Sequence, residues 1–228
     1  MKKFLLSVAE VVAFVAVVLG LIFLFKNVSR QPSVILTSTE CDPPCWYGIE
    51  PGQTNSSQIL EKLDNIEGIE ITSLTSNYDN NDNLEYIYWV FERPTVDSIG
   101  TIYFKDDQVS AIAILTVDSL NLNELLTKLG EPGQYWTEIE YGENRKYLDV
   151  FFLYPTQGYL AEVLLDIEYG ENQVIIQEET PVFKVAYFAP QMFQELWGTR
   201  ILIDKEVNTR TGTFIPWEGY GSILIEPK

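Results

Sequence analysis

The residues best placed to do chemistry lie in one stretch, "CDPPCWYGIEPGQT", residues 41–54. It holds both cysteines of the chain, three of its eleven prolines and a tryptophan. Cys41 and Cys45 are spaced C-x3-C. Redox exchange calls for C-x-x-C spacing and a helix N-terminus that lowers a thiol pKa, and neither is present. A tetrahedral metal centre needs four ligands, and the chain has no other cysteine and no histidine to complete one. A local disulfide closing a proline-stiffened loop fits best, with free thiols and redox or metal chemistry as the other readings. No cofactor is expected. The absence of histidine also excludes Ser-His-Asp and Cys-His catalysis. Carboxylates alone can still support catalysis.

Carboxylates are abundant. Glu138, Glu140, Glu143 and Asp149 flank one expected hairpin; Glu162, Asp166 and Glu168 flank another. Glu138 and Glu140 share a strand face, and a glycosidase-like pair is conceivable. No spacing selects such a pair, and solvated strand faces are the plainer reading. Asp79, Asn81 and Asn83 imitate the start of a calcium loop. Leu84 stands where glycine is required and Val90 where glutamate is required, so a hairpin loop is the better reading. Aromatic pairs at element ends form the remaining candidate interface: Trp46 with Tyr47, Tyr135 with Trp136, and Trp217 with Tyr220. Exposed, they would anchor a partner; buried, they would close the core.

The elements that must position these residues begin with a membrane segment. Residues 4–25, "FLLSVAEVVAFVAVVLGLIFLF", carry one charge, Glu10. As a helix they would span about 33 Å, enough to cross a hydrocarbon core. The run is too long for a cleaved signal, and no small-x-small site follows it. The expectation is a single-pass signal anchor, with the N-terminus cytoplasmic and the bulk of the chain extracytoplasmic. The short basic N-tail and the cysteine pair both suit that orientation. Glu10, two turns inside the span, is a candidate contact for a partner helix.

Net charge is −18, and four of the fifteen basic residues lie at positions 2, 3, 26 and 30. The rest of the chain is therefore more acidic than the whole. Such a surface repels phosphate backbones, which excludes nucleic acid, and it admits basic proteins or peptides.

Two segments read as capped helices. Asn55 with Gln58, and Asn121 with Glu124, are cap pairs ahead of apolar stripes. Asn121, Glu124, Leu125, Leu126, Lys128 and Leu129 match Asn55, Gln58, Ile59, Leu60, Lys62 and Leu63 at an offset of 66. "YGENQV" at 169–174 echoes "FKDDQV" at 104–109 at an offset of 65. Alternating runs such as "LEYIYWVFE", "GTIYF", "VSAIAILTV" and "KYLDVFFLY" read as strands. These agreements predict an α+β fold: an N-terminal transmembrane helix, two tandem helix-plus-antiparallel-sheet repeats and a β-rich C-terminal extension. The expected boundaries are 1–30 for the anchor, 31–48 for the tether with its cysteine knot, 49–117 and 118–181 for the repeats, and 182–228 for an extension packed on the second repeat.

The segment "GIEPGQT" (48–54), the exit "LGEP" (129–132) and the hairpin "FKDDQV" resemble envelope modules of the BamE/SmpA type. The tandem layout resembles the β-lactamase inhibitory protein. "PCWYGIEPGQT" with a "PWEGYG" ending is similar to anchored proteins of bacterial envelopes with a PCWxGIxPGxT motif. The resemblance implies extracytoplasmic, non-catalytic, protein-binding modules. The functional expectation is a membrane-anchored interaction module for an envelope protein or peptide. The alternatives are a carboxylate hydrolase of envelope polymers and an accessory subunit held through its transmembrane helix.

Overall fold

Antiparallel strands dominate the computed structural model. It describes residues 36, 41–66, 69, 75–79, 84–90, 99–116, 120–141, 145–197, 202 and 214–225. Glu10, Glu143 and the apolar segment 4–25 lie outside the described residues. Eleven strands occur among those described: β1 (Thr75–Asp79), β2 (Leu84–Val90), β3 (Ile99–Lys105), β4 (Gln108–Leu115), β5 (Gln134–Tyr141), β6 (Lys146–Tyr154), β7 (Tyr159–Ile167), β8 (Gln173–Ile176), β9 (Lys184–Phe188), β10 (Ile215–Pro216) and β11 (Gly221–Leu224). Nine of them form one sheet in the order β1-β2-β3-β4-β9-β7-β6-β5-β10, and β8 pairs with β11 in a separate ribbon.

Three short helices accompany the strands. They are α1 (Ile59–Asp64), α2 (Leu122–Leu129) and α3 (Phe193–Leu196), of six, eight and four residues. Asn121 caps α2 by accepting from the Glu124 N–H at 2.9 Å, while Glu124 accepts from the Asn121 N–H at 3.2 Å. Gln58 accepts from the Asn55 N–H at 3.1 Å ahead of α1. These reciprocal bonds use donors that the first helical turn leaves unpaired.

The α+β expectation of two tandem helix-plus-sheet repeats followed by a β-rich extension is corrected by this architecture, while the expected transmembrane segment 4–25 lies outside the described residues. Among the described residues no helix is long and apolar enough to cross a membrane. The strands of both expected repeats join one sheet, and β9, expected in a C-terminal extension, lies between β4 and β7. All five of its residues are buried. The physical reason is visible in "VFKVAYF": a continuous apolar run marks a strand covered on both faces, which belongs at the centre of a sheet.

Both faces of the central strands are covered. Strand register places Ile102, Ile112, Val150, Phe152, Val163 and Val185 in a core shared with Ile59 and Leu63 of α1, Leu122 and Leu125 of α2, and Val174, Ile176 and Ile223 of the ribbon. The opposite face carries Ala111, Phe151, Leu160, Ala186 and Phe188. It packs against Phe193 and Leu196 of α3 and against Leu202. Alanines at β4 and β9 share this core with Phe193 of α3, which stacks on Phe188 at 5.6 Å.

Gly100 shows how tightly the first core is filled. It pairs with Trp89 across β2 and β3. A Cβ at Gly100 would lie 2.0 Å from Trp89 Cζ2. Gly100→Ala is therefore expected to destabilise the fold by about 1–3 kcal/mol through displacement of the indole. The midpoint of urea unfolding checks this, and an unchanged midpoint would contradict the packing.

The end of α2 is held by two phenols. Tyr154 donates to the Gly130 carbonyl at 2.8 Å and Tyr159 to the Leu129 carbonyl at 2.6 Å. Burial pushes Tyr159 from 10.0 up to about 12. Burial raises Tyr154 and Tyr187 further, with neighbouring Tyr159 adding to both. Folded values above the unfolded value give stability that is fully present below pH 10 and is lost as pH rises through the folded values. Ionisation of Tyr154, Tyr159 and Tyr187 is expected to accompany unfolding, read as the part of the tyrosinate absorbance that appears with loss of the fold as pH rises past 10. Free titration of all tyrosines without unfolding would contradict the burial.

Candidate functional site

The cysteine stretch folds into a bonded knot. Cys41 and Cys45 are joined, with Cα atoms 5.7 Å apart. The Cys45 N–H donates to the Asp42 carbonyl at 3.1 Å, and the Gly48 N–H reaches Cys41 Sγ at 3.4 Å. Trp46 and Ile49 exchange backbone hydrogen bonds of 2.9 and 2.8 Å around Tyr47 and Gly48. Both central residues have positive φ, 48° and 72°. Two left-handed residues in succession make a primed turn, which a glycine at the second position eases. The turn drives Trp46 inward. It is 1 % exposed and stacks on Trp89 at 5.6 Å, while Tyr47, half-buried, meets it edge-on at 5.0 Å.

The other candidate aromatics divide between the faces. Trp136 is buried on the α3 side, 5.6 Å from both Phe151 and Trp197. Tyr135 and Trp217, both half-buried, meet at 6.2 Å over Phe152 on the other side. Tyr220 lies 6.0 Å from Trp217 and is 39 % exposed. Of the six candidates, Tyr135, Trp217 and Tyr220 are thus brought together. Trp46 and Tyr47 form a separate pair, and Trp136 belongs to the second core.

The carboxylates gather on the α3 face. Glu138 lies opposite Asp149 in the β5–β6 register. Glu162 on β7 lies opposite Lys184 on β9, with Nζ 2.7 Å from Oε2. Asp149 is 2 % exposed and Glu162 7 %, so both are withheld from a polymer chain. Among the described residues no group of three or more cysteine, aspartate or glutamate side chains could hold a metal ion.

The surface feature that stands out is the β8–β11 ribbon. Val174, Ile176 and Ile223 point into the first core. Their neighbours point out: Ile175 is 55 % and Leu224 72 % exposed. Register pairs Ile175 with Ser222 and Gln173 with Leu224, which puts Ile175 and Leu224 on one outer face as diagonal neighbours. The Ile225 N–H donates to the Asn172 carbonyl at 2.8 Å. Antiparallel alternation then turns the N–H and C=O groups of Val174 and Ile176 toward β11, and those of Gln173 and Ile175 away from it. Among the described residues β8 pairs with β11 alone, and no described strand lies along its outer edge.

Charge surrounds the ribbon. Glu168 and Glu171 precede β8, Glu178 and Glu179 follow it, and all four are exposed. No lysine or arginine occurs between Lys146 and Lys184. Burial raises the Tyr220 phenol above its ordinary value, and Glu178, Glu131 and Glu179 add to the shift. Those three carboxylates therefore act on the same exposed ring. Ile175 and Leu224 were not among the sequence candidates. "QVII" and "GSIL" do not mark an outward side by sequence, and the fold shows that Ile175 and Leu224 are exposed there.

No family model matches the chain, and no curated protein matches it. Two solved structures are similar to parts of it. One is a DUF4309 family protein, YjgB, from Bacillus subtilis. It shares 11 % identity at a TM-score of 0.27, over 62 % of this chain and 82 % of that one. The other is a cysteine-rich secretory protein, SAV1118, from Staphylococcus aureus. It shares 10 % identity at a TM-score of 0.30, over 75 % of this chain. The chain spans about half the length of that second protein, 55 %. Overlaps this slight carry neither a fold nor a function to this chain.

Proposed function

We propose that this chain is a non-catalytic binding module for an envelope protein or peptide, held at the extracytoplasmic side of a membrane by its apolar segment 4–25. The observation that carries the reading is the outward face of the β8–β11 ribbon, where Ile175 and Leu224 stand exposed on an otherwise strongly acidic chain. Exposed apolar side chains beside an open strand edge are the means by which many modules add a partner. The bonded cysteine pair suits an oxidising compartment. The likeness of "GIEPGQT", "FKDDQV" and "LGEP" to envelope binding modules points the same way.

Photocrosslinking of the full chain in its native membrane tests this. A photoreactive residue is placed in turn at Leu224, Asp64 and Lys128. A discrete adduct at one or more positions is the expected result. Absence of an adduct at every position overturns the reading.

A further inference from the structure

We infer that the outer edge of β8 seats one extended peptide segment in which apolar and basic residues alternate, added as a third strand of the ribbon. The inference rests on the binding-module reading and names the seat and the chemistry of the partner.

Three observations converge on that occupant. The first is the backbone. Gln173 and Ile175 direct their N–H and C=O groups away from β11, a row of donors and acceptors that an extended chain matches without regard to its sequence. The second is the outer face. Ile175 stands exposed on β8 itself, with Leu224 diagonally behind it on β11, so a side chain on that face of an added strand would lie against Ile175 and a longer one would reach toward Leu224. The third is charge. Glutamates stand at both ends of the four-residue strand, at 168, 171, 178 and 179. Basic side chains of the incoming segment would meet a carboxylate at either end.

The same charges argue against a second copy of this chain as the occupant. Two such edges brought together would set eight glutamates against each other, with no basic residue between 147 and 183 to offset them. Open edges in soluble proteins are blunted by charge. Here the charge is all of one sign, which repels the chain's own kind and admits a cationic strand.

The test uses the full-length chain in nanodiscs of zwitterionic lipid and a fluorescent eight-residue peptide of alternating lysine and valine. Saturable one-to-one binding is expected. It should weaken by at least about tenfold for the same peptide N-methylated at every amide, which keeps the charge and removes the strand donors. A glutamate–valine peptide should bind at least about tenfold more weakly as well. The variant I175N/L224N changes no charge and alters two exposed positions. It should lose at least about tenfold in affinity while its melting temperature holds. Equal binding of the N-methylated peptide, unchanged affinity of I175N/L224N, or no binding of the lysine–valine peptide would each overturn the inference. Photocrosslinks at Asp64 or Lys128 with none at Leu224 would remove this seat and leave the binding-module reading in place. No crosslink anywhere would remove the reading itself.

Discussion

Lys184→Met is expected to lower the unfolding free energy by about 3–5 kcal/mol, read as a fall in the urea midpoint. Lys184 and Glu162 lie opposite each other on β9 and β7, with Nζ 2.7 Å from Oε2 and side chains only 3 % and 9 % exposed. Removing the cation leaves a carboxylate inside the sheet with its principal counter-charge gone. The pair need not be a large net stabiliser, because desolvating two ions offsets much of their attraction. The penalty arises from breaking it. The double variant K184M/E162L, apolar on both strands, is therefore expected to recover most of the loss. β9 joins the two halves of the sheet, so the single variant should also loosen β4 from β7. A midpoint shift as small as that of a surface lysine would contradict the burial of the pair.

The second large effect is expected at Trp46. Trp46→Ala should cost about 3–5 kcal/mol, the range for truncating a buried large aromatic. The indole is 1 % exposed and stacks on Trp89, which is itself fully buried above Gly100. The cavity opened by the alanine cannot collapse readily, because the bonded Cys41–Cys45 knot and the Trp46–Ile49 turn fix the chain on one side. Urea unfolding with intrinsic fluorescence measures the loss. A cost below about 1 kcal/mol would place Trp46 at the surface instead of in the core.

Local features were legible in the sequence because their chemistry is local. The cap pairs at Asn55 and Asn121 need only one helical turn to act. The turn at 105–108 is set by two aspartates, which adopt positive φ more readily than most residues: Asp106 at 51° and Asp107 at 65°. What was not legible depended on distant pairing. An offset of 66 residues identifies similar segments and is silent on whether their strands join one sheet. The insertion of β9 between β4 and β7 is a contact across about seventy residues of chain. Which aromatics close the core and which stay near the surface depended on the same distant pairing. Trp46 and Trp136 sit beside exposed loops in sequence, and the fold turns both inward. One clue to the buried charges was present: Asp149 and Lys184 each interrupt a continuous apolar run, "KYLDVFFLY" and "VFKVAYF", where a strand covered on both faces leaves no solvent for them.

The open outer edge of β8 is tested most directly by amide hydrogen exchange, residue by residue, on the full-length chain with and without the lysine–valine peptide. In the free chain Gln173 and Ile175 are expected to exchange near the rate of an unstructured peptide, while Val174 and Ile176, bonded to β11, exchange slowly. Adding the peptide should slow Gln173 and Ile175 and leave Val174 and Ile176 as they were. Gln173 and Ile175 already as slow as Val174 in the free chain would show the edge to be covered and would contradict its role as a seat.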